Sequence, residues 1–117
     1  MKLFEHLVVL DYRSDDAGRL HSKRGPALVG YDTDTRMILK VWYRHGEIAR
    51  REGPAIVVQD ETGRVVYEEW CWKGKRHRDG GPAAVLYDDT GQVVDEQYWV
   101  HGKKVQRRAA AERTKGA

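Results

Sequence analysis

Short runs in which apolar and polar residues alternate follow one another along this chain, each closed by a cluster of Gly, Pro, Asp or Thr. Alternation with period two is the pattern of a strand with one covered face. Before residue 103 no segment keeps a helical period free of Gly or Pro. Leu3–Tyr12, rich in Leu and Val, predicts a first strand. Short strands are expected over Ala27–Tyr31, Ala55–Gln59 and Ala83–Tyr87, and longer ones over Met37–Arg44, Val65–Trp72 and Val93–Val100. Polar turns at Asp32–Arg36, Asp60–Arg64 and Asp88–Gln92 join each short strand to its long one. Gly63 and Gly91 supply the positive φ that such a turn needs. Thr35 stands at that place in the first turn, which is therefore expected to differ.

Period two also predicts the faces of the long strands. Ile38, Lys40 and Trp42 share one face with Val66, Glu68, Trp70 and Trp72, and with Val94, Glu96, Tyr98 and Val100. The opposite face carries Met37, Leu39, Val41 and Tyr43, then Val65, Tyr67, Glu69 and Cys71, then Val93, Asp95, Gln97 and Trp99. This second face becomes more polar towards the C-terminus, so its first part is expected to be covered and its last part open.

These elements recur. Gly-Pro-Ala stands at Gly25–Ala27, Gly53–Ala55 and Gly81–Ala83, 28 residues apart each time, and Gly18, Gly46, Gly74 and Gly102 keep the same spacing. Proline fixes φ and lacks an N–H, which suits the first residue of a strand. The expectation is an all-β fold, an antiparallel meander of about seven strands built from three 28-residue β-hairpin repeats. The repeats fall at about 19–46, 47–74 and 75–102, within a domain of 1–104. The segment before them reads either as half a unit, with Leu10 at the place of Ile38, Val66 and Val94, or as an unrelated strand. The remaining 105–117 is a basic tail, expected as a short C-terminal helix or a disordered segment.

Charge changes the picture in one respect. The net charge is +3, but six basic residues against Glu112 put +5 in residues 103–117 and leave −2 for the body. In a meander, alternate turns go to opposite edges. Asp32, Asp34, Asp60, Glu61, Asp88 and Asp89 are thus expected on an acidic rim. Arg44, His45, Arg50, Arg51, Lys75, Arg76, His77, Arg78 and His101 are expected on a basic one. Basic neighbours and the absence of a Cys or carboxylate cluster argue against a metal site at His21, His45, His77 and His101. The lone Cys71 lies between Trp70 and Trp72 and reads as a small buried hydrophobe, not a nucleophile. No phosphate-binding Gly loop or paired-carboxylate site appears, so no enzyme and no cofactor is expected. One cysteine, and no apolar run longer than Leu7–Leu10, predict a cytoplasmic protein without membrane contact.

Trp70–Ala83 reads Trp-Cys-Trp-Lys-Gly-Lys-Arg-His-Arg-Asp-Gly-Gly-Pro-Ala. It resembles the MORN-type repeats, most of all a divergent bacterial and phage variety marked by His-Arg-x-x-Gly-Pro-Ala. The resemblance covers residues 18–102 and departs at Ile48–Glu52, where the His is missing, and at Arg19–Ser22, where the Arg is missing. It implies a β-hairpin array with no shared catalytic residue, serving as a scaffold, an antitoxin-like partner or a small phage accessory protein. The functional expectation is a non-catalytic protein-binding module, a phage or prophage protein that inhibits or redirects a host protein such as a defence component. The alternatives are an antitoxin or immunity-type partner, and nucleic-acid binding through the basic loops and tail. Monomer and homodimer both remain open. A thin sheet cannot bury both its faces, so some aromatic surface is expected to be covered by a partner, a second copy or the tail. Tryptophan beside arginine is the usual make-up of a hot spot. The candidate binding residues are Trp99 and Trp72 with Lys75, Arg76, His77, Arg78, Arg50 and Arg51.

Overall fold

The Asp-led turns close three antiparallel hairpins, and these set the sheet. The computed structural model describes residues 5–107. Its strands are β1 (Leu7–Tyr12), β2 (Leu28–Asp32), β3 (Ile38–Val41), β4 (Tyr43–Arg44), β5 (Glu47–Ile48) and β6 (Ile56–Gln59). They continue with β7 (Val65–Glu69), β8 (Cys71–Trp72), β9 (Lys75–Arg76), β10 (Ala84–Tyr87), β11 (Val93–Val100) and β12 (Lys103–Val105). Eight of them form one antiparallel meander in the order β1-β2-β3-β6-β7-β10-β11-β12. The all-β expectation holds. The expected C-terminal helix and most of the basic tail lie outside the described residues.

Two long strands differ from expectation. Met37–Arg44 and Val65–Trp72 are each interrupted: β3 stops at Val41 and β7 at Glu69, and the chain leaves the sheet at a tryptophan. The Trp42 N–H still donates to the Ala55 carbonyl at 2.8 Å, while the Trp42 carbonyl already accepts from Ala49 at 3.0 Å. Trp70 repeats this with Ala83 at 2.7 Å and His77 at 3.0 Å. Each tryptophan is thus shared between the sheet and a short ribbon, β4–β5 or β8–β9. Only the third long strand, β11, runs unbroken as predicted. Where loops are expected, the ribbons turn at His45-Gly46, Lys73-Gly74 and His101-Gly102. Both residues of each pair have positive φ (46° and 86°, 51° and 79°, 48° and 82°). That is the type I′ turn, whose twist matches a two-residue hairpin.

The first Asp turn does differ from the other two. In the second and third, Asp60 and Asp88 donate their N–H to Arg64 and Gln92, and Gly63 and Gly91 take φ of 89° and 87°. The tight turn displaces the register: a bulge follows, and Gln59 pairs with Val65 and Tyr87 with Val93. With Thr35 in place of glycine, the first turn reaches one residue further, from the Asp32 N–H to the Met37 carbonyl. The left-handed residue there is Arg36, at φ 61°, and β2–β3 pairs without a bulge. This corrects the face assignments of Val65, Val66 and Val93. The bulge sets Val65 opposite Gln59, and Val66 lies with Val58 and Tyr67.

The core is thin. Ala27, Ala55 and Ala83 are fully buried, and Val41, Val57, Val58 and Val85 nearly so. The molecule measures 41 × 39 × 21 Å, thin along one axis. The face that becomes more polar does open as expected, from buried Val41 and Val58 to exposed Leu86 and Asp95. At the N-terminal side β1 pairs edge-on with β2 and lays Leu7 over Gly30, while Val8, Val9, Leu10 and Tyr12 stay exposed. Among the described residues no helix is long and apolar enough to cross a membrane.

Candidate functional site

Two of the three Gly-Pro-Ala segments are held by a side-chain clip at the ribbon end of the sheet. The Arg78 guanidinium lies 3.9 Å from the Trp70 ring centroid, and its Nη1 donates to the Pro82 carbonyl at 3.1 Å. Gly81 closes the third side, since a Cβ there would sit 2.8 Å from Arg78 Cζ. Arg50 does the same one unit earlier, 4.1 Å from Trp42 and 3.1 Å from the Pro54 carbonyl, against Gly53. In the first unit both partners are absent together: Ser14 stands at the tryptophan place and Ser22 at the arginine place, and Ser22 Oγ donates to the Arg24 carbonyl instead. The alanine that follows is fully buried and returns the chain to the sheet.

The ribbons are latched to one another along the rim. Backbone N–H groups of Ser22, Arg50 and Arg78 donate to the carbonyls of Tyr43, Cys71 and Trp99. Those of Gly46, Gly74 and Gly102 donate to Leu20, Ile48 and Arg76. Between the ribbons lie two shallow depressions of about 390 Å³ each. One is lined by Arg50, Arg51, Trp70, Trp72, His77 and Arg78, with Asp79 as its one acid. Arg51 is exposed and lies 5.3 Å over the Trp72 ring. Five of the eight predicted residues therefore meet in one place.

The other three sit beside it in different settings. Arg76 donates from Nε to the buried Glu69 at 2.9 Å and covers Trp99 at 5.1 Å. Glu69 also accepts from Tyr67 Oη at 2.5 Å and from the Cys71 thiol. Burial pushes the Cys71 thiol up to about 12, with the Glu69 charge acting in the same direction. Burial likewise raises Tyr67, again with Glu69 adding to it. Trp99 is half-buried and donates from Nε1 to Gln97 at 3.1 Å. Lys75 is exposed, its aliphatic stem against Gly102.

Three features carry no local sequence signal that would single them out. All four tryptophans hold an arginine over the ring, and among the described residues none stacks on another ring. Glu69 reads as a polar position on an open face, yet it anchors Arg76. The histidines pair: His21 stacks on His45 at 3.9 Å and His77 on His101 at 4.1 Å. In each pair the Nδ1 of the first ring accepts the backbone N–H of the second at 2.9 Å. His45 also lies 2.7 Å from Asp15, and that contact holds the Asp15 carboxyl well below the usual range. Among the described residues no group of His, Cys, Asp and Glu is arranged to hold a metal ion. No family model, curated protein or solved structure is measurably similar to this chain.

Proposed function

We propose that the protein is a non-catalytic protein-binding module, three β-hairpin repeats after a half unit, which docks its basic-aromatic rim on an acidic patch of a partner protein. The observation that carries this reading is Arg51 over Trp72 at the mouth of a depression where Arg50, His77 and Arg78 face a single acid. A tryptophan beside arginines, partly covered and ringed by polar groups, is the usual composition of an interface hot spot. The resemblance of Trp70–Ala83 favours a phage or prophage protein that inhibits or redirects a host protein. An antitoxin or immunity partner would use the same surface. The raised Cys71 thiol agrees with a non-enzymatic role, because a neutral, buried thiol is a poor nucleophile. Nucleic-acid stacking is disfavoured, since each tryptophan already carries a guanidinium that a base would have to displace.

The test is affinity capture from bacterial lysate with wild type, Arg51→Glu, Trp72→Ala and Lys75→Glu, each checked for unchanged thermal unfolding. Arg76 is unsuitable for this purpose, because removing it takes the cation from buried Glu69, leaves it the Tyr67 and Cys71 donors alone among the described residues, and so lowers stability. Loss of one specific protein partner by at least tenfold in Arg51→Glu is expected. Retention of that partner by both Arg51→Glu and Trp72→Ala, or capture of nucleic acid alone, would overturn the proposal.

A further inference from the structure

The Asp-turn end of the sheet, one strand length away from the ribbons, holds a larger and chemically different feature. A groove of about 600 Å³ opens there. Met37, Ile56, Val58, Val66, Tyr67 and Leu86 line it, and Val58 is 3% exposed, so it forms a floor. The size is that of a ligand site, and the lining is apolar except at its margin. Asp60, Asp88 and Asp89 supply that margin, and among the described residues no basic one lines the groove.

The state of these carboxylates points to what the groove takes. The turn consumes one oxygen of each paired aspartate. Asp60 Oδ1 accepts from the Thr62 N–H, the Thr62 hydroxyl and the Arg64 N–H. Asp88 Oδ1 accepts the same three donors from Thr90 and Gln92. These bonds, led by the threonine hydroxyl, hold both carboxyls below the usual range, so both stay charged. The second oxygen of each accepts nothing among the described residues. Arg64, in the turn that Asp60 opens, also acts on Asp60, but it is exposed and does not line the groove. Asp60 and Asp88 end strands two positions apart in the sheet, about 10 Å at ordinary strand spacing. Since the side chains extend from that backbone spacing, one cation seated between the two turns meets both carboxylates, directly or through one water.

We propose that this groove is a docking site for a segment of a partner protein that presents one large apolar or aromatic side chain next to lysine or arginine. The apolar side chain covers Val58 and Leu86, and the cation lies between Asp60 and Asp88, with Asp89 beside them. An anionic lipid surface is excluded by the same three charges. The proposal does not rest on the rim reading, since the two surfaces use different residues and opposite charge.

Methyl-labelled protein titrated with the capped tripeptides Lys-Trp-Lys and Glu-Trp-Glu tests it by NMR. The lysine peptide is expected to shift the Met37, Val58, Val66 and Leu86 methyls, with at least tenfold tighter binding than the glutamate peptide. Asp89→Lys and Leu86→Ser change exposed positions and are each expected to weaken binding about tenfold without altering the rest of the spectrum. Four outcomes overturn the proposal. They are equal binding of the two peptides, no methyl shift at several millimolar peptide, shifts confined to the ribbon end, and concentration-dependent shifts without peptide. The last would assign the groove to a second copy of this chain.

Discussion

Arg78 shows how single residues hold this thin sheet together. Its guanidinium is fixed by a ring, a carbonyl and the absence of a side chain at Gly81, so each contact limits what the others can tolerate. Gly81 has no positive φ to forbid alanine. The obstacle is the Arg78 head group alone, at 2.8 Å from the place of the new Cβ. Arg78→Ala is expected to cost about 1–2 kcal/mol, from one cation–π contact and one hydrogen bond. Gly81→Ala should cost about as much in the native background, through overpacking, and only a few tenths when Arg78 is already alanine. Urea unfolding of the double-mutant cycle measures this coupling. Additive effects would mean that Gly81 serves the backbone and not the arginine. None of this is legible in the sequence, because Trp70 and Arg78 lie eight residues apart and meet only after the ribbon has folded back.

At the scale of elements, the long hairpins were readable because alternation and Asp-led turns are local signals. The ribbons were not. A two-residue strand has no alternation to read, and Lys73-Gly74 lacks the asparagine that marks a type I′ turn. The break at Trp42 and Trp70 also escapes period-two reading, since it arises from hydrogen bonds shared with the next unit. Lys73 holds φ 51° in spite of its Cβ, a conformation that costs most L-residues about 1 kcal/mol and asparagine much less. Lys73→Asn is therefore expected to stabilise the protein by about 0.5–1 kcal/mol in chemical denaturation. His45→Asn supplies the control. It eases the same turn but gives up the His21 stack and the Asp15 contact, so no gain is expected there. Equal effects of the two substitutions would show that the left-handed strain is negligible.

At the scale of the whole molecule, three junctions run along the rim, and they are unequal. Each has the same two backbone bonds, but the outer two add a histidine pair, where the middle one has Ala49 and Lys73. In a meander whose strands and ribbons pair only with their neighbours, stability is close to a sum over junctions, so a change at one edge loosens that edge first. His21 must be neutral at Nδ1 to accept the His45 N–H. Burial, and then the neighbouring His45 ring, hold its pKa below the ordinary value. Arg44 and Lys23 act in the same direction, while the Asp15 carboxylate opposes them. Protonation is thus harder in the folded state than in the unfolded one. The stabilisation is complete above the unfolded value of about 6.5 and is lost as the pH falls through the lower folded value. Asp15 stays ionised through that window, its carboxyl being held well below the usual range by His45. Hydrogen exchange resolves the effect by residue. Corrected for intrinsic rates, protection of the His45 amide should drop on going from pH 7 to pH 5. The Gly74 amide, which crosses the middle junction to Ile48, should hold. His21→Gln, which keeps an acceptor but no titrating ring, should flatten the His45 response. Parallel loss at His45 and Gly74 would mean that acid acts on the sheet as a whole. The histidine pair would then be a packing contact without influence on how the array opens.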